Sequence, residues 1–384
     1  MRIAILTLPL HTNYGGIIQN YALQKVLERL GYEATTINFI HSRSVLPLKK
    51  APIVYGKRVI KKILGRKDGI ILLEKKIDHD KIIVERNVRC FINNHIKLTH
   101  AVSNKEDIKN LNQHNFDAFI VGSDQIWRPP YAFISIETSF LDFVTDATIK
   151  KIAYAISFGT DNIEFSKEQI DSCGKLIESF DAISVREVSA IDIINNKLKW
   201  KCKYRPVLTL DPTMLLTSND YLSLVNDDTR RKMSSVSGLF YYILDGSDYK
   251  DKIRQDITSM LNLKSYTVSP KSKDFWDSVE DKVVPPIEDW LYAFSKADFV
   301  FTDSFHGCVF SIIFRKPFLV YGNKLRGMAR FDTLLNIFHL QDRLIDENSN
   351  LEILLNTPID WGQIESIINN RKKESINFLF NSLV

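Results

Sequence analysis

Short apolar runs and segments of helical periodicity alternate along the chain. Arg2–Leu8 contains four consecutive apolar residues, a pattern typical of strands that are covered on both faces. The apolar residues of Ile17–Leu30 then recur at three- and four-residue intervals, as on one face of a helix, and Gly31 follows as a C-terminal cap. Glu33–Phe39 is the next predicted strand. This order predicts a β–loop–α–β unit of the doubly wound α/β class.

The same alternation continues to the carboxyl terminus. Further strands are predicted at Phe116–Val121, Lys151–Ile156, Asp181–Glu187, Val207–Pro212, Gly238–Leu244, Lys264–Val268, Asp298–Phe301 and Phe318–Val320. Further helices are predicted at Ser166–Ser179, Lys250–Leu261, Ile287–Ser295, Cys308–Phe314, Met328–Phe338 and Asp360–Ser382. Because 384 residues exceed one typical core, we expect two doubly wound, Rossmann-like domains that face a cleft. Their predicted ranges are 1–212 with a basic helical insertion at about 41–100, 213–365, and a helix over 366–384 that packs back across both domains.

Small and polar residues follow several predicted strands at the point where each strand ends. These residues are Gly15-Gly16, Ser123-Asp124, Ser157-Phe158-Gly159 and Arg186-Glu187. In open α/β sheets, ligands bind outside the carboxyl ends of the strands. The repetition therefore predicts a binding site at this rim, although for the glycine pair alone a structural turn is an equal alternative. His11, Asn13 and Gln19 add polar groups near that pair that a turn would not need.

The segment 297–322 contains the strongest candidate for catalysis. An apolar strand ends in Asp303 and Ser304, and His306 and Gly307 lead into an apolar helix. The amides and dipole of such a helix can hold an anion, and an imidazole can exchange protons near neutral pH. A histidine that merely caps the helix is the alternative, but its polar neighbours favour a functional role.

Composition narrows the class of protein. The net charge of +5 permits anionic substrates and gives no argument for nucleic acid binding. The four cysteines lack CxxC spacing, and Asp78-His79-Asp80 is expected to be a solvated helical run, so we predict neither a disulfide framework nor a metal site. The amino terminus continues directly into a strand, and no apolar run reaches the about 20 residues of a membrane span. We therefore expect a cytoplasmic location.

One stretch is strongly basic. Lys49–Lys67 contains eight basic residues and no acidic one, and Val59, Ile60, Ile63 and Leu64 share a helical face. A surface helix packed on its own domain is the interpretation we favour for this pattern. The alternative is a peripheral contact of residues 49–67 with the anionic inner face of a membrane.

Several short motifs occur together and in order: NYGGIIQNYALQ, VGSDQIW, SVRE, LDPT and TDSFHGCVFSIIFRKPF. In this combination the chain resembles the polysaccharide pyruvyl transferase family, from Arg2 to about Leu344. The resemblance implies a glycosyltransferase-B-like fold. It also implies transfer of the enolpyruvyl group of phosphoenolpyruvate to a sugar of a surface polysaccharide or its lipid-linked precursor. The products would be a pyruvate ketal and phosphate, and no cofactor other than the donor is expected.

By matching positions, the resemblance implies that His306 is the catalytic histidine and Arg186 a donor-binding arginine, with Asp124 in an acidic motif. We predict three sets of site residues: catalytic His306, Asp303 and Asp124; donor-binding Arg186, Ser304, Lys324, Arg326, Gly15 and Gly16; and acceptor-binding His11, Asn13, Gln19 and Trp127. Several members of the family carry arginine two residues before the histidine, where this chain has Ser304. Lys324, Arg326 and Arg330 are the candidates to replace that cation.

Two other functions remain as alternatives to the transfer of an enolpyruvyl group. The fold class also suits a glycosyltransferase that uses a nucleotide sugar, because fold alone does not determine function. A carbohydrate-binding assembly protein without catalysis is the third hypothesis.

Overall fold

The computed structural model describes residues 1–40, 51–66, 68–111, 116–322 and 327–384. The first sheet has the order β3-β2-β1-β4-β5-β6-β7, and its strands are β1 Arg2–Leu6, β2 Glu33–Phe39, β3 Leu98–Val102, β4 Ala118–Asp124, β5 Lys150–Ile156, β6 Ala182–Val185 and β7 Val207–Leu208. The second has the order β12-β11-β10-β8-β9, and its strands are β8 Gly238–Tyr242, β9 Ser265–Tyr266, β10 Ala297–Thr302, β11 Phe318–Tyr321 and β12 Leu344–Ile345.

Helices connect the strands and cover the two sheets. Within the described residues they are α1 Tyr14–Arg29, α2 Ala51–Ile63, α3 Leu73–Val84, α4 Arg86–His95, α5 Lys105–Asn110, α6 Ile136–Ser139, α7 Lys167–Ile177, α8 Val188–Asp192, α9 Ser218–Leu222, α10 Asp227–Lys232, α11 Asp248–Met260, α12 Ile287–Lys296, α13 Phe305–Ile313, α14 Ala329–Ile337, α15 Leu351–Asn356 and α16 Trp361–Leu383. None of those helices combines the length and apolar character that crossing a membrane requires.

Neighbouring strands are parallel in both sheets. Both strand orders are those of doubly wound folds, in which the order reverses at one point of the sheet. The reversal lies between β1 and β4 in the first sheet and between β10 and β8 in the second. The predicted α/β class with two Rossmann-like sheets is confirmed. Strands of the first sheet end at Leu208 and those of the second begin at Gly238.

The sequence pattern missed the edge strands β3 and β12. The predicted helical insertion at 41–100 is wrong at its end, because residues 98–102 form β3 beside β2. β3 has the sequence LTHAV, whose residues are mostly exposed or half-buried, and β12 has only two residues. An edge strand pairs with a neighbour on one side only and is more exposed than a central strand, so its sequence need not contain an apolar run.

Helix α13 begins earlier than predicted, at Phe305 and not at Cys308. Ser304 is its N-cap, and the Ser304 hydroxyl accepts a hydrogen bond from the amide of Gly307 at 3.3 Å. His306 therefore lies in the first turn of the helix.

The two halves of the chain pack against each other through hydrogen bonds and apolar contacts. The Tyr14 hydroxyl donates to the carbonyl of Pro285 at 2.7 Å, and the amide of Val284 donates to the carbonyl of Val84 at 3.0 Å. Helix α16, predicted over 366–384 as a helix that packs back, starts at Trp361 and reaches the first sheet. There the Ser375 hydroxyl accepts a hydrogen bond from the amide of Leu210, which follows β7.

Helix α2 lies within the basic stretch and contradicts the interpretation we favoured from sequence. No residue of α2 is buried, and the side chains of Ile60 and Ile63 are 58% and 78% exposed. The idea that α2 packs its apolar face on its own domain is therefore wrong. Lys49, Lys50 and Lys67 lie outside the described residues.

Candidate functional site

A cavity of about 410 Å³ lies where the carboxyl ends of the two sheets meet. Loops after β1 and β4 form one wall, and loops after β8 and β10 form the other, so both reversal points of strand order contribute. Its lining includes His11, Asn13, Asp124, Tyr131, Asp303, Ser304, Phe305, His306 and Arg330. A volume of this size is within the usual range for a small-molecule site.

Asp124 ends β4 on the wall of the first sheet. Its backbone lies in the left-handed region, with φ of 66°, which directs the chain out of the sheet at this residue. One carboxylate oxygen accepts a hydrogen bond from Nη2 of Arg186 at 2.9 Å. Burial alone would raise the pKa of Asp124, but the charges of Arg186, His306 and Arg330 outweigh it and lower that pKa. Asp124 is therefore ionised at neutral pH.

Arg186 lies beneath the cavity. Its Nη1 donates to Asp211 at 2.8 Å, its Nη2 donates to Asp124, and its side chain is 1% exposed. Arg186 does not line the cavity. In this arrangement each terminal nitrogen of Arg186 donates to a carboxylate, and its contact with the donor stays a prediction.

Asp211 is the main residue of the site that sequence analysis missed. Its Oδ2 accepts from Arg186 and lies 3.6 Å from Nε2 of His306, and its Oδ1 accepts from the amide and hydroxyl of Thr213. Burial would raise the pKa of Asp211, but His306, Arg186 and Thr213 more than offset it, and the pKa lies far below its usual value. The sequence signal that could have identified Asp211 was the LDPT motif, because its acidic residue lies near the end of a predicted strand.

His306 enters the cavity wall from the first turn of α13 and is 6% exposed. Its Nε2 lies toward Asp211, at a distance slightly too long for a hydrogen bond. The opposite side of the ring packs on the backbone of Gly15, where an added Cβ would lie 2.1 Å from Nδ1. The imidazole is thus held between the carboxylate and the start of α1.

Gly16 differs from its neighbour in the chain. A Cβ there would lie 3.2 Å from Nδ2 of Asn13 and 3.7 Å from Oδ2 of Asp124, which is close to ordinary contact. Gly15 is therefore required for the approach of His306, whereas Gly16 is not. Donor contact by either glycine stays a prediction.

Phe305 and Arg330 complete the wall of the second half. The guanidinium carbons of Arg186 and Arg330 lie 4.8 and 5.4 Å from the centre of the Phe305 ring, distances typical of cation–π contacts. Arg330 comes from α14, is 5% exposed and lines the cavity. Burial and the like charge of Arg186 lower the pKa of Arg330 to about 10, so it remains a cation at neutral pH.

Asp303 is placed differently from its predicted role as a catalytic acid or as the group that orients the imidazole. Its oxygens accept from the amides of Leu244 and Asp245 at 2.7 and 3.1 Å and from Nζ of Lys250 at 2.7 Å. Asp303 is 1% exposed. These three donors fix the carboxylate, which ties the loop after β8 to β10, and Asp211 is the acid beside His306. A catalytic role of Asp303 stays a prediction.

Glu187 has a supporting role behind the site. Its Oε1 accepts from the Ser157 hydroxyl at 2.7 Å and from the amide of Phe158 at 3.0 Å. Burial raises the pKa of Glu187, and the charge of Arg186 offsets only part of that rise. The Ser157-Phe158-Gly159 segment predicted at the rim is therefore fixed by Glu187.

The four residues predicted to bind the acceptor separate into two pairs. His11 and Asn13 line the cavity. Gln19 and Trp127 are fully buried, and their predicted contact with an acceptor is wrong. Gln19 bonds to Thr7, Gly16 and the amide of Ser123, and the Trp127 indole stacks on Phe140 and donates to the carbonyl of Ser139.

Ser304 lies in the cavity wall, and its contact with the donor stays a prediction. Lys324 and Arg326, also predicted to bind the donor, lie outside the described residues. Among the residues that are described, no cluster of three or more histidine, cysteine or acidic side chains is arranged to hold a metal ion.

The chain shares its fold with two solved structures of 2-epimerases. UDP-GlcNAc 2-epimerase from Neisseria meningitidis, bound to UDP-GlcNAc, aligns with a TM-score of 0.54 at 8% identity, over 99% of this chain and 100% of that one. The UDP-N-acetylglucosamine 2-epimerase from Rickettsia bellii aligns with a TM-score of 0.51 at 10% identity, over 100% of this chain and 96% of that one. Identities this low concern the fold alone, which is glycosyltransferase-B-like.

Sequence comparison is more specific about the family. No curated protein sequence matches the chain. The family model described as polysaccharide pyruvyl transferase matches residues 13–324, a range that includes Gly15, Asp124, Arg186, Asp211 and His306. Since the match covers more than half of the sequence, the chain belongs to the polysaccharide pyruvyl transferase family.

Proposed function

We propose that the protein transfers the enolpyruvyl group of phosphoenolpyruvate to two hydroxyls of one sugar, forming a pyruvate ketal and releasing phosphate. The acceptor is a sugar of a surface polysaccharide or of its lipid-linked precursor, met on the cytoplasmic side of the membrane. One observation carries the proposal beyond the family assignment. His306 and Arg330 from the second half line the same cavity as Asp124 from the first half.

Arg330 and the start of α13 form the proposed donor site. Phosphoenolpyruvate carries a phosphate and a carboxylate, and a guanidinium can bind either group through two parallel hydrogen bonds. The N-terminus of α13 adds a favourable dipole for an anion, and the Ser304 hydroxyl retains a proton that it can donate. Several members of the family carry an arginine at the position of Ser304. In this chain Arg330, which is remote in sequence, supplies that cation to the cavity.

The proposed chemistry begins with protonation of the donor's methylene carbon. Positive charge then develops on the adjacent carbon, and the oxygen of a sugar hydroxyl attacks that carbon. The C–O bond to phosphate breaks, and a second hydroxyl of the same sugar closes the ketal ring. One proton is added at the methylene carbon, one returns from the first hydroxyl to the catalytic base, and the proton of the second hydroxyl leaves with phosphate.

His306 is the proposed acid and base in these steps. His306 lines the cavity, and an imidazole can deliver a proton and take one back, as these steps require. Asp211, 3.6 Å from Nε2, stabilises the imidazolium form and helps to orient the ring. Asp124 is a weak base because its pKa is lowered, and its ionised carboxylate instead stabilises the positive charge on the reacting carbon.

The wall of the first half is the proposed acceptor side. His11, Asn13 and the half-exposed ring of Tyr131 line it. Polar groups next to an aromatic ring suit a sugar, which presents hydroxyls at its edge and apolar C–H groups on its face. Arg128 stacks on Tyr131 at 4.8 Å and pairs with Glu164 at 2.6 Å, which holds the ring in place.

Phosphate release tests the proposal directly. The purified protein is incubated with phosphoenolpyruvate and a panel of oligosaccharides, and phosphate and product mass are measured. We expect phosphate only when an acceptor is present, together with a product that carries a ketal-linked pyruvate. His306→Asn should abolish both signals while the variant retains its melting temperature.

Two outcomes would support the other functions instead. Thermal stabilisation by a nucleoside diphosphate but not by phosphoenolpyruvate, with transfer of a sugar, would indicate a glycosyltransferase. Binding of glycan that is unchanged in the His306 and Arg330 variants, without consumption of either donor, would indicate a carbohydrate-binding protein.

A further inference from the structure

The helix α2 presents apolar side chains to solvent. Ile53, Ile60, Ile63 and Leu64 are 65%, 58%, 78% and 69% exposed, and we call them, with Lys57, the α2 surface. Helix α4 follows in the same segment and has the opposite character, because its Val88, Phe91 and Ile92 are buried in the core. Exposed isoleucines grouped on one helix indicate a contact with a partner or a lipid phase.

Spacing places the apolar residues and a lysine on one side of the helix. Ile60 and Leu64 follow Ile53 by seven and eleven positions, close to two and three full turns. Lys57 comes four residues after Ile53 and three before Ile60, so it lies along the same stripe. A cation within the apolar stripe suits an interface that has an anionic outer layer and an apolar layer beneath.

The charges on α2 are only partly neutralised within the protein. The Arg58 guanidinium forms two hydrogen bonds with Glu74, each 2.7 Å, and Lys61 lies 2.7 Å from Asp68. In the described parts of the chain, Lys57 and Lys62 have no ion-pair partner, and α2 itself contains no acidic residue. These lysines therefore remain available to an external anion.

We propose that the α2 surface docks the protein on an anionic lipid bilayer. Lys57 would meet the lipid phosphates, and the isoleucines and leucine would enter the boundary of the acyl chains. A second copy of the chain fits less well, because a symmetric contact of α2 with α2 would bring like charges together. The inference rests on the exposure and charge of α2 and holds whatever reaction the cavity performs.

Vesicle binding tests this proposal. The full chain is sedimented with vesicles of phosphatidylcholine alone and with vesicles that also contain phosphatidylglycerol. We expect binding to the anionic vesicles only, and a decrease when salt is raised. Lys57→Glu should weaken partitioning about 30-fold, because reversing this charge removes about the contribution of two lysines near an anionic surface.

A matched variant controls for net charge. Lys167 and Lys175 are exposed on α7, and changing both to glutamine removes the same charge elsewhere. This control should bind vesicles like the parent chain. Ile60→Ser with Ile63→Ser should also lose vesicle binding, with an unchanged melting temperature because neither residue is buried.

Three results would overturn the proposal. The first is equal binding to neutral and anionic vesicles, and the second is an equal loss of vesicle binding in the α7 control. The third is a dimer, detected by sedimentation velocity, that dissociates in the variant with Ile60→Ser and Ile63→Ser. The last would assign α2 to a contact between copies of the chain. Since none of these measurements uses turnover, they are independent of the test of the proposed reaction.

Discussion

Arg186 and Arg330 approach the same phenylalanine ring and have different environments. Arg186 is tied to Asp124 and Asp211 and does not reach the cavity, whereas Arg330 lines the cavity beside His306. The first organises the carboxylates of the site, and the second is placed to meet a ligand. A guanidinium at a strand end is therefore not by itself a ligand-binding group, because the position of its side chain relative to the cavity decides what it can contact.

The largest expected effect concerns the stability contributed by Arg186. Arg186→Met leaves two buried carboxylates without their cation, and we expect a loss of about 3–5 kcal/mol in the free energy of unfolding. Urea denaturation of the variant measures it. Arg128→Met is the matched control, because Arg128 pairs with a single, partly exposed carboxylate, Glu164, and its loss should destabilise the protein much less. Equal stability losses in the two variants would contradict the role of Arg186 as the counter-ion of two buried carboxylates.

The next effect concerns catalysis by His306. His306→Asn keeps a polar side chain of similar reach and removes the acid and base, so kcat should fall by about 10²–10⁴-fold. Phosphate release in the presence of acceptor measures the change. A variant that keeps its parent's kcat would exclude His306 from proton transfer.

Gly15 and Gly16 provide a paired test of the position of the imidazole. Gly15→Ala should displace the ring of His306, because the new methyl group would overlap it, and about a 10²-fold loss in kcat is expected. Gly16→Ala has almost enough space for its methyl group and should keep most of the activity. Both replacements favour helix formation equally, so the difference isolates the contact with His306. Similar activities in the two variants would contradict this geometry.

A smaller effect is expected for donor binding by Arg330. Arg330→Lys keeps the charge but loses the two-pronged geometry, so KM for phosphoenolpyruvate should rise about tenfold with a smaller change in kcat. Initial rates at varied donor concentration separate the two constants. If KM stays constant and only the unfolding free energy changes, Arg330 has a structural role like that of Arg186.

The smallest effect is a change in stability with pH. The pKa values of Asp124 and Asp211 are lower in the folded state than in the unfolded chain. Their contribution to stability is therefore present above the pKa of an unfolded aspartate, about 3.9, and is lost as pH falls through the folded values. Arg186→Met should flatten this acid-side decline, and urea midpoints between neutral and acidic pH would reveal it. An unchanged slope would mean that other carboxylates dominate acid unfolding.

The sequence pattern was sufficient for the central strands and long helices. β2 was predicted at Glu33–Phe39 with both ends correct. β3 and β12 were missed because edge strands carry little apolar patterning. The start of α13 was missed because Ser304 caps the helix three residues before the apolar run predicts it.

The candidate site was predicted less completely than the fold. Motifs and strand ends identified His306, Asp124 and Arg186, but the pairing of Arg186 with Asp211 depends on contacts between residues 25 positions apart. Trp127 and Gln19 were predicted to bind the acceptor because they lie close in sequence to the polar residues that follow strands. Their burial follows from the packing of other helices and strands above them.

The order of apolar runs, helical segments and polar strand ends by itself determined the α/β class, the two sheets and the location of the site at their rim. These features depend on local spacing, which a chain carries in its sequence. Only the tertiary structure decided which charges are neutralised within the protein and which face the cavity. It also decided that the apolar face of α2 stays exposed. Charge neutralisation and burial depend on distances between residues that are remote in the chain, and local sequence spacing does not contain those distances.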